Sequence, residues 1–114
     1  MSKQSEAKYL ADMLEYAQKA LEISAGADAH RFDNDETLRF ALAHLVQIIG
    51  EAANRTTEAT RAALPSIRWA QIIGMRHRLV HDYGKVSYRV VWDVLQNDLP
   101  LLIAALERFE SDSL

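Results

Sequence analysis

The chain has 114 residues, of which 49% are hydrophobic and 25% charged; its formal net charge is −3, and it contains no cysteine. This composition predicts one soluble globular domain over residues 1–114 and excludes disulfides and thiolate zinc sites. No apolar run is long enough to cross a membrane and the N-terminus does not resemble a signal peptide, so we expect a cytoplasmic protein without membrane association. The negative net charge argues against a protein that coats nucleic acid.

Helical periodicity describes the N-terminal half of the chain. Apolar residues three and four apart predict a first helix over about residues 5–23, followed by a loop over residues 24–32. Asp33 and Glu36 have the spacing of a capping box, which satisfies the first backbone N–H groups of a helix. We therefore expect a second helix to begin there and to run to about residue 55.

The C-terminal half continues the helical pattern. Thr57 has the side chain of a helix cap, and the short helix that it begins should end before Pro65. A helix over about residues 67–81 follows, and Ser87 caps the last helix, which Pro100 should kink. The pattern predicts an all-α, up-and-down bundle of four main helices plus a short helix, without a strand pair. Its many apolar faces and small size favour a dimer.

The most distinctive segment is residues 75–83, with the sequence MRHRLVHDY. It contains two arginines, two histidines and a tyrosine, namely Arg76, Arg78, His77, His81 and Tyr83. Metal-free cleavage of RNA needs a fixed positive charge at the phosphate and a group that moves protons near neutral pH. Arg76 and His81 supply these two functions and are the candidate catalytic residues.

Charge is distributed unevenly along the chain. From Arg55 to Arg89 there are seven basic and two acidic residues, a local formal charge of +5, whereas the remaining residues carry −8. A basic segment on an acidic body favours a localised phosphate site, although clustering on a solvated surface has the same signature.

On a straight helix, Arg76 and His81 would lie roughly 140° apart around the axis. They can reach one phosphate only if the helix unwinds near His81 or if a second subunit supplies its own copy. Structural roles are the alternative: Arg76 could pair with Glu51 or Asp98, and His81 could interact with the dipole at the helix C-terminus. Tyr83 could equally be a core aromatic residue.

A polar edge of the second helix has two interpretations. It consists of His44, Gln47, Glu51 and Asn54. Such a line is most often a solvated face, but it could form the opposite wall of a cleft, where Glu51 or Asn54 would steady Arg76.

A metal site is not expected. His77 and His81 have the four-residue spacing of a zinc pair, and Asp82 is adjacent. The sequence places no third ligand, however, and no glutamate lies between the histidines as in zinc proteases. A bundle that binds a metal through His77, His81 and a carboxylate is therefore not favoured. No cofactor is expected either.

Three separated segments resemble the HepT-like branch of the HEPN superfamily. They are IIGEAANR at residues 48–55, WAQIIGMRHRLVHDY at residues 69–83, and Val91-Trp92 with NDLP at residues 97–100. The resemblance extends from about Asp33 to Leu106. One departure is His77, because asparagine more usually follows the motif arginine in that family.

The resemblance implies a small all-α RNase toxin that forms a homodimer, with both motifs lining one cleft. It implies that Arg76 and His81 are catalytic and that Tyr83 accepts AMP. The implied partner is an MntA-type minimal nucleotidyltransferase antitoxin, which transfers AMP from ATP in a type VII-like toxin–antitoxin pair. Candidate supporting or RNA-binding residues are His77, Arg78, Tyr83, Glu51 and Asn54. A non-catalytic HEPN subunit that binds a nucleotidyltransferase or a nucleotide is the main alternative, and the intact motif argues against it.

Overall fold

The computed structural model describes residues 3–75, 78, 80–81 and 85–112. The helices of the N-terminal part are α1 (Lys3–Ile23), α2 (Ala29–Asn34), α3 (Glu36–Asn54), α4 (Glu58–Ala63) and α5 (Trp69–Ile73). The remaining elements are β1 (Val80–His81), β2 (Lys85–Val86), α6 (Tyr88–Asp93), a π-helical turn (Val94–Asp98) and α7 (Leu99–Asp112). The prediction of an all-α fold is confirmed, with one two-residue strand pair added to the helices.

The core lies between α1, α3 and the C-terminal helix. Helix α1 packs along α3 and against α7. The inward faces follow the predicted three- and four-residue spacing, because one face of each helix is apolar. Fully buried side chains of this core include Met13, Leu42, Val46, Ile49, Leu99 and Leu102.

The start of α3 differs from the prediction. A short helix, α2, occupies much of the expected loop, and the Asp28 side chain caps it by accepting a hydrogen bond from Arg31 N at 2.8 Å. Asp33 lies inside α2, so the predicted capping box is wrong. Asp35 has extended backbone geometry and caps α3 instead, accepting from Leu38 N at 3.0 Å.

The caps of two later helices are as predicted. The Thr57 hydroxyl accepts from Thr60 N at 3.4 Å, and α4 ends at Ala63, before Pro65. The Ser87 hydroxyl accepts from Val90 N at 3.4 Å and begins α6. Short polar side chains at these positions satisfy backbone donors that a helix leaves unpaired.

The predicted helix over residues 67–81 is wrong at its C-terminal end. Helix α5 ends at Ile73, and helical backbone is described again at Met75 and Arg78. The backbone is then extended: β1 pairs antiparallel with β2, with Val80 opposite Val86 and His81 opposite Lys85. β-Branched valines favour extended backbone. The strand pair gives the backbone N–H and C=O groups hydrogen-bond partners in place of those of the predicted helix.

The C-terminal helix is irregular immediately before Pro100. Leu99 N donates to the carbonyl of Val94, five residues earlier, in a π-helical turn. Pro100 has no backbone N–H and its ring crowds the preceding turn, so the wider turn occurs where a regular helix is least favourable. A π turn thus precedes Pro100, and the predicted kink itself stays a prediction.

Candidate functional site

The structure describes part of the predicted motif. Arg76, His77 and Tyr83 lie outside the described residues, and only the backbone of His81 is described. That backbone lies in β1 opposite Lys85, after the end of the helical segment. The two catalytic assignments therefore stay predictions, but the straight-helix geometry that would separate them does not apply at His81.

Helix α5, which leads into the motif, is held tightly against α3. Ile72 and Met75 are fully buried, and Arg76 directly follows Met75 in the sequence. The contact passes through Gly50, where an added Cβ would lie 3.1 Å from the Ile72 carbonyl oxygen and 3.5 Å from Met75 Cε. The absence of a side chain at Gly50 thus allows the close approach that fixes the start of the motif.

An open cleft of about 310 Å³ lies between the motif-bearing segment and the C-terminal helix. Six polar side chains line it: Arg68, Gln71, Arg78, Asp93, Asn97 and Asp98. Arg78, a predicted RNA-binding residue, is exposed there and donates from Nη1 to the Gln71 carbonyl oxygen at 3.5 Å. Arginine and amide side chains in one cleft provide donors for phosphate and for base or ribose oxygens.

One ion pair spans this cleft. Arg68 Nη1 lies 3.2 Å from Asp98 Oδ1, and the side chains are 47% and 5% exposed, respectively. A carboxylate that is almost fully buried needs such a partner. Among the described residues Asp98 pairs with Arg68; the hypothesis that it pairs with Arg76, which lies outside them, stays a prediction. Asp98 falls on the apolar stripe between Leu95 and Leu102, a signal in the sequence that it needed a cation.

The polar edge of α3 does not line this cleft. His44, Glu51 and Asn54 are exposed on α3, and Gln47 is half-buried. The wall opposite Arg78 is formed by Asp93, Asn97 and Asp98 instead. A supporting role of Glu51 or Asn54 at Arg76 stays a prediction.

Two features are absent from the described part of the chain. Within it, no helix is both long and apolar enough to cross a membrane. The same residues contain no group of three or more histidine, cysteine, aspartate or glutamate side chains that could hold a metal ion. The side chains of the hypothetical pair, His77 and His81, are not among the described ones.

Comparison with known proteins identifies the class of this helical domain. Residues 13–109 match the family described as "Ribonuclease HepT-like". The chain therefore belongs to the ribonuclease HepT-like family, which confirms the resemblance seen in its sequence. No solved structure gave a significant match.

Individual relatives cover nearly the whole chain. A Methanocaldococcus jannaschii protein named "Putative RNase" is 30% identical over 107 residues, which are 94% of this chain and 98% of the relative. A Thermococcus cleftensis protein named "Probable ribonuclease HepT" is 30% identical over 106 residues, covering 93% and 96%. A "Putative RNase" of Caldanaerobacter subterraneus subsp. tengcongensis is 31% identical over 94 residues, covering 82% and 84%.

Proposed function

We propose that this protein is a cytoplasmic, metal-independent endoribonuclease of the toxin type, with Arg76 and His81 as its catalytic residues. The observation that carries the proposal is the match of residues 13–109 to the ribonuclease HepT-like family. The relatives named as ribonucleases match this chain over most of their own length, so the family comparison concerns the whole domain.

The backbone at His81 supports the catalytic assignment. In a continuous helix, Arg76 and His81 would point roughly 140° apart and could not meet at one phosphate within a subunit. The described backbone is extended at His81, where β1 pairs with β2. This change of conformation between the helical segment and His81 supports the proposal, because the assignment requires the helix to unwind near His81.

The reaction proceeds by attack of the RNA's own 2′-hydroxyl oxygen on the adjacent phosphorus. One imidazole takes the 2′ proton, and a protonated imidazole donates a proton to the departing 5′ oxygen. His81 performs one of these steps, while His77 or His81 of the partner subunit performs the other. The Arg76 guanidinium binds two phosphate oxygens and stabilises the additional charge of the pentavalent transition state. The products are a 2′,3′-cyclic phosphate and a 5′-hydroxyl.

The described cleft supports binding of the substrate beside the motif. Arg78 is exposed in it; Arg68, on the same side, is half-exposed and paired with Asp98, and Asp93 is the other carboxylate of the described lining. The two arginines belong to the segment with the local charge of +5, which attracts a polyanion. His77, Tyr83, Glu51 and Asn54 complete the proposed set of supporting or RNA-binding residues.

The proposed regulation is covalent modification of Tyr83. The phenol oxygen attacks the α-phosphorus of ATP, loses its proton, and displaces pyrophosphate, which leaves AMP on the tyrosine. An MntA-type nucleotidyltransferase antitoxin would catalyse this step in a type VII-like pair. The added phosphate brings bulk and negative charge close in sequence to Arg76 and His81, so it would exclude RNA. The active protein is proposed to be a homodimer whose two motifs share a cleft.

Cleavage of RNA in EDTA by wild type and by His81→Ala tests the proposal. His30→Ala is a matched control, because His30 is exposed on α2, outside the motif. We expect cleavage by wild type and by His30→Ala but not by His81→Ala. Mass spectrometry beforehand should establish that Tyr83 carries no AMP. Cleavage by His81→Ala at the wild-type rate would disprove the assignment, and folded, unmodified wild type without activity would favour the non-catalytic subunit.

A further inference from the structure

An exposed aromatic side chain stands out on α3, and it is not among the residues that line the charged cleft. Phe40 is 55% exposed, and its ring centroid lies 6.3 Å from that of the half-buried Tyr88 at the start of α6. The two rings are tilted by 36°. A phenyl ring that leaves so much of its surface in water offers a face on which another flat group can stack.

The position of Tyr88 is fixed by its surroundings. The Arg39 guanidinium lies over the Tyr88 ring, 5.3 Å from its centroid, in a cation–π contact. Arg39 Nη1 also donates to the carbonyl oxygens of Phe32 and Asp33, at 3.1 and 2.6 Å. Because Arg39 is anchored to the backbone, the tyrosine and the adjoining Phe40 ring form a surface that is ordered before any ligand binds.

The chain connects this aromatic pair directly to the strand of His81. Lys85 lies opposite His81 in the strand pair, and Tyr88 follows Lys85 by three residues. Paired Cα atoms are about 5 Å apart, and three residues span at most about 11 Å. The backbone of Tyr88 is thus within about 16 Å of that of His81, close enough for the pair to reach nucleotides that flank a phosphate bound there.

The charge around the pair suits an anionic strand, and the nearness of the pair to the strand of His81 favours RNA as its occupant. Arg39 touches Tyr88, Arg89 is exposed beside it, and Glu36 is one turn from Phe40. Single-stranded RNA is bound by aromatic rings set among cations, which is the arrangement here. A second copy of this chain is the alternative occupant, because protein interfaces also favour Phe, Tyr and Arg.

We propose that Phe40 and Tyr88 form a stacking platform for one base of single-stranded RNA, next to the phosphate that is cleaved. The inference rests on the proposed ribonuclease function and adds a binding site for the flanking base. Stacking is insensitive to base identity, since every base has a π face. The platform therefore contributes affinity and placement of the strand rather than sequence recognition.

The test is steady-state cleavage of a single-stranded RNA oligonucleotide with one cleavage site. We expect Phe40→Ala to raise KM about tenfold with kcat nearly unchanged, because stacking is present in both the ground and transition states. Phe40→Trp should retain the wild-type KM. Leu101→Ala, which shortens another exposed apolar side chain, is the matched control and should have no effect.

Abasic substrates locate the base. Removing the base on one side of the cleaved phosphate should raise the wild-type KM by the same factor and should not raise that of Phe40→Ala further. Equal KM values for wild type and Phe40→Ala would overturn the platform. So would a lower mass of Phe40→Ala in light scattering, because that result assigns the ring to an interface between copies of this chain.

Failure of the proposed ribonuclease function can be distinguished from failure of the stacking platform. If unmodified wild type cleaves no RNA, the ribonuclease proposal fails, and fluorescence anisotropy with the same labelled oligonucleotide tests the platform alone. Binding about tenfold weaker for Phe40→Ala than for wild type supports the platform. Equal binding, or no binding by either protein, overturns it.

Discussion

The guanidinium of Arg68 lies 3.2 Å from the buried carboxylate of Asp98 and joins the start of α5 to the π turn of the C-terminal helix. On its other side, α5 contacts α3 through Gly50. The short helix that precedes the motif is therefore fixed between α3 and the π turn that precedes α7. A substitution at either contact should therefore shift α5 and, with it, the motif that follows.

We predict that Arg68→Gln lowers the free energy of unfolding by about 1–3 kcal/mol, because it leaves the Asp98 carboxylate buried without its cation. The half-exposed position of Arg68 keeps the expected loss below that of a fully buried pair. Urea denaturation at neutral pH measures the change.

The matched control is Arg31→Gln. Arg31 and Asp35 form an exposed pair at 3.9 Å, and such pairs contribute less than about 1 kcal/mol. Equal losses of unfolding free energy in the two variants would show that the buried position of Asp98 does not make its pair with Arg68 more stabilising than an exposed pair.

The contact at Gly50 predicts that Gly50→Ala loses RNA-cleavage activity as well as some stability. In Gly50→Ala, the new Cβ meets a backbone carbonyl of α5 at 3.1 Å, so α5 must shift by a few tenths of an ångström. Alanine favours the helix by about 1 kcal/mol, and overpacking costs about 1–3 kcal/mol. We expect a net loss of about 1 kcal/mol, with RNA cleavage reduced at least about tenfold by displacement of the motif.

Gly26→Ala provides the comparison for this variant. Gly26 has a φ of +79° and no atom within 4 Å of where a Cβ would lie, so alanine there costs about 1 kcal/mol of backbone strain without a clash. We expect similar destabilisation and unchanged cleavage. If Gly50→Ala were as active as Gly26→Ala, α5 would not transmit packing changes to the site.

Glu6 should make stability depend on pH. The backbone N–H of Thr57 donates to its carboxylate at 2.6 Å and holds the pKa of Glu6 below its ordinary value of 4.5. A lowered pKa means that this carboxylate stabilises the fold above its unfolded-state pKa, and that the contribution is lost as the pH falls through the folded-state pKa.

Glu6→Gln should therefore be less stable than wild type near pH 7, and the difference should shrink towards pH 3. Urea denaturation at both values measures it, with Glu15→Gln, an exposed change on α1, as the control. A difference that is the same at both pH values would contradict the proposed role of the Glu6 charge.

The helices of the core could be predicted because their signals are local. Apolar spacing identifies the inward faces, and the hydroxyls of Thr57 and Ser87 begin their helices as expected. Asp33 and Asp35 are equally good caps by residue type. Asp35 is the cap because Asp33 lies in the short helix α2, and a helix of six residues is too short to show an apolar periodicity in the sequence. Similarly, the end of the helical segment before His81 depends on pairing with β2.

Only the part of the candidate site that lies in the motif, residues 75–83, could be predicted from the sequence. The motif indicated Arg78, which does line the cleft. The opposite wall comes from residues 93–98, whose orientation depends on the π turn before Pro100. Arg68 and Phe40 were missed because a lone arginine or phenylalanine has no spacing signal, and its importance arises only from neighbours distant in the sequence.

The central claim is that RNA is cut through its own 2′-hydroxyl group. The most direct measurement compares an RNA oligonucleotide with one that has a single 2′-deoxyribose at the cleaved nucleotide, with both reactions in EDTA and the product ends analysed. We predict cyclic phosphate and 5′-hydroxyl ends from the first and no cut at that position in the second. Cleavage of the deoxy-substituted position, or products with 5′-phosphate ends, would contradict the claim.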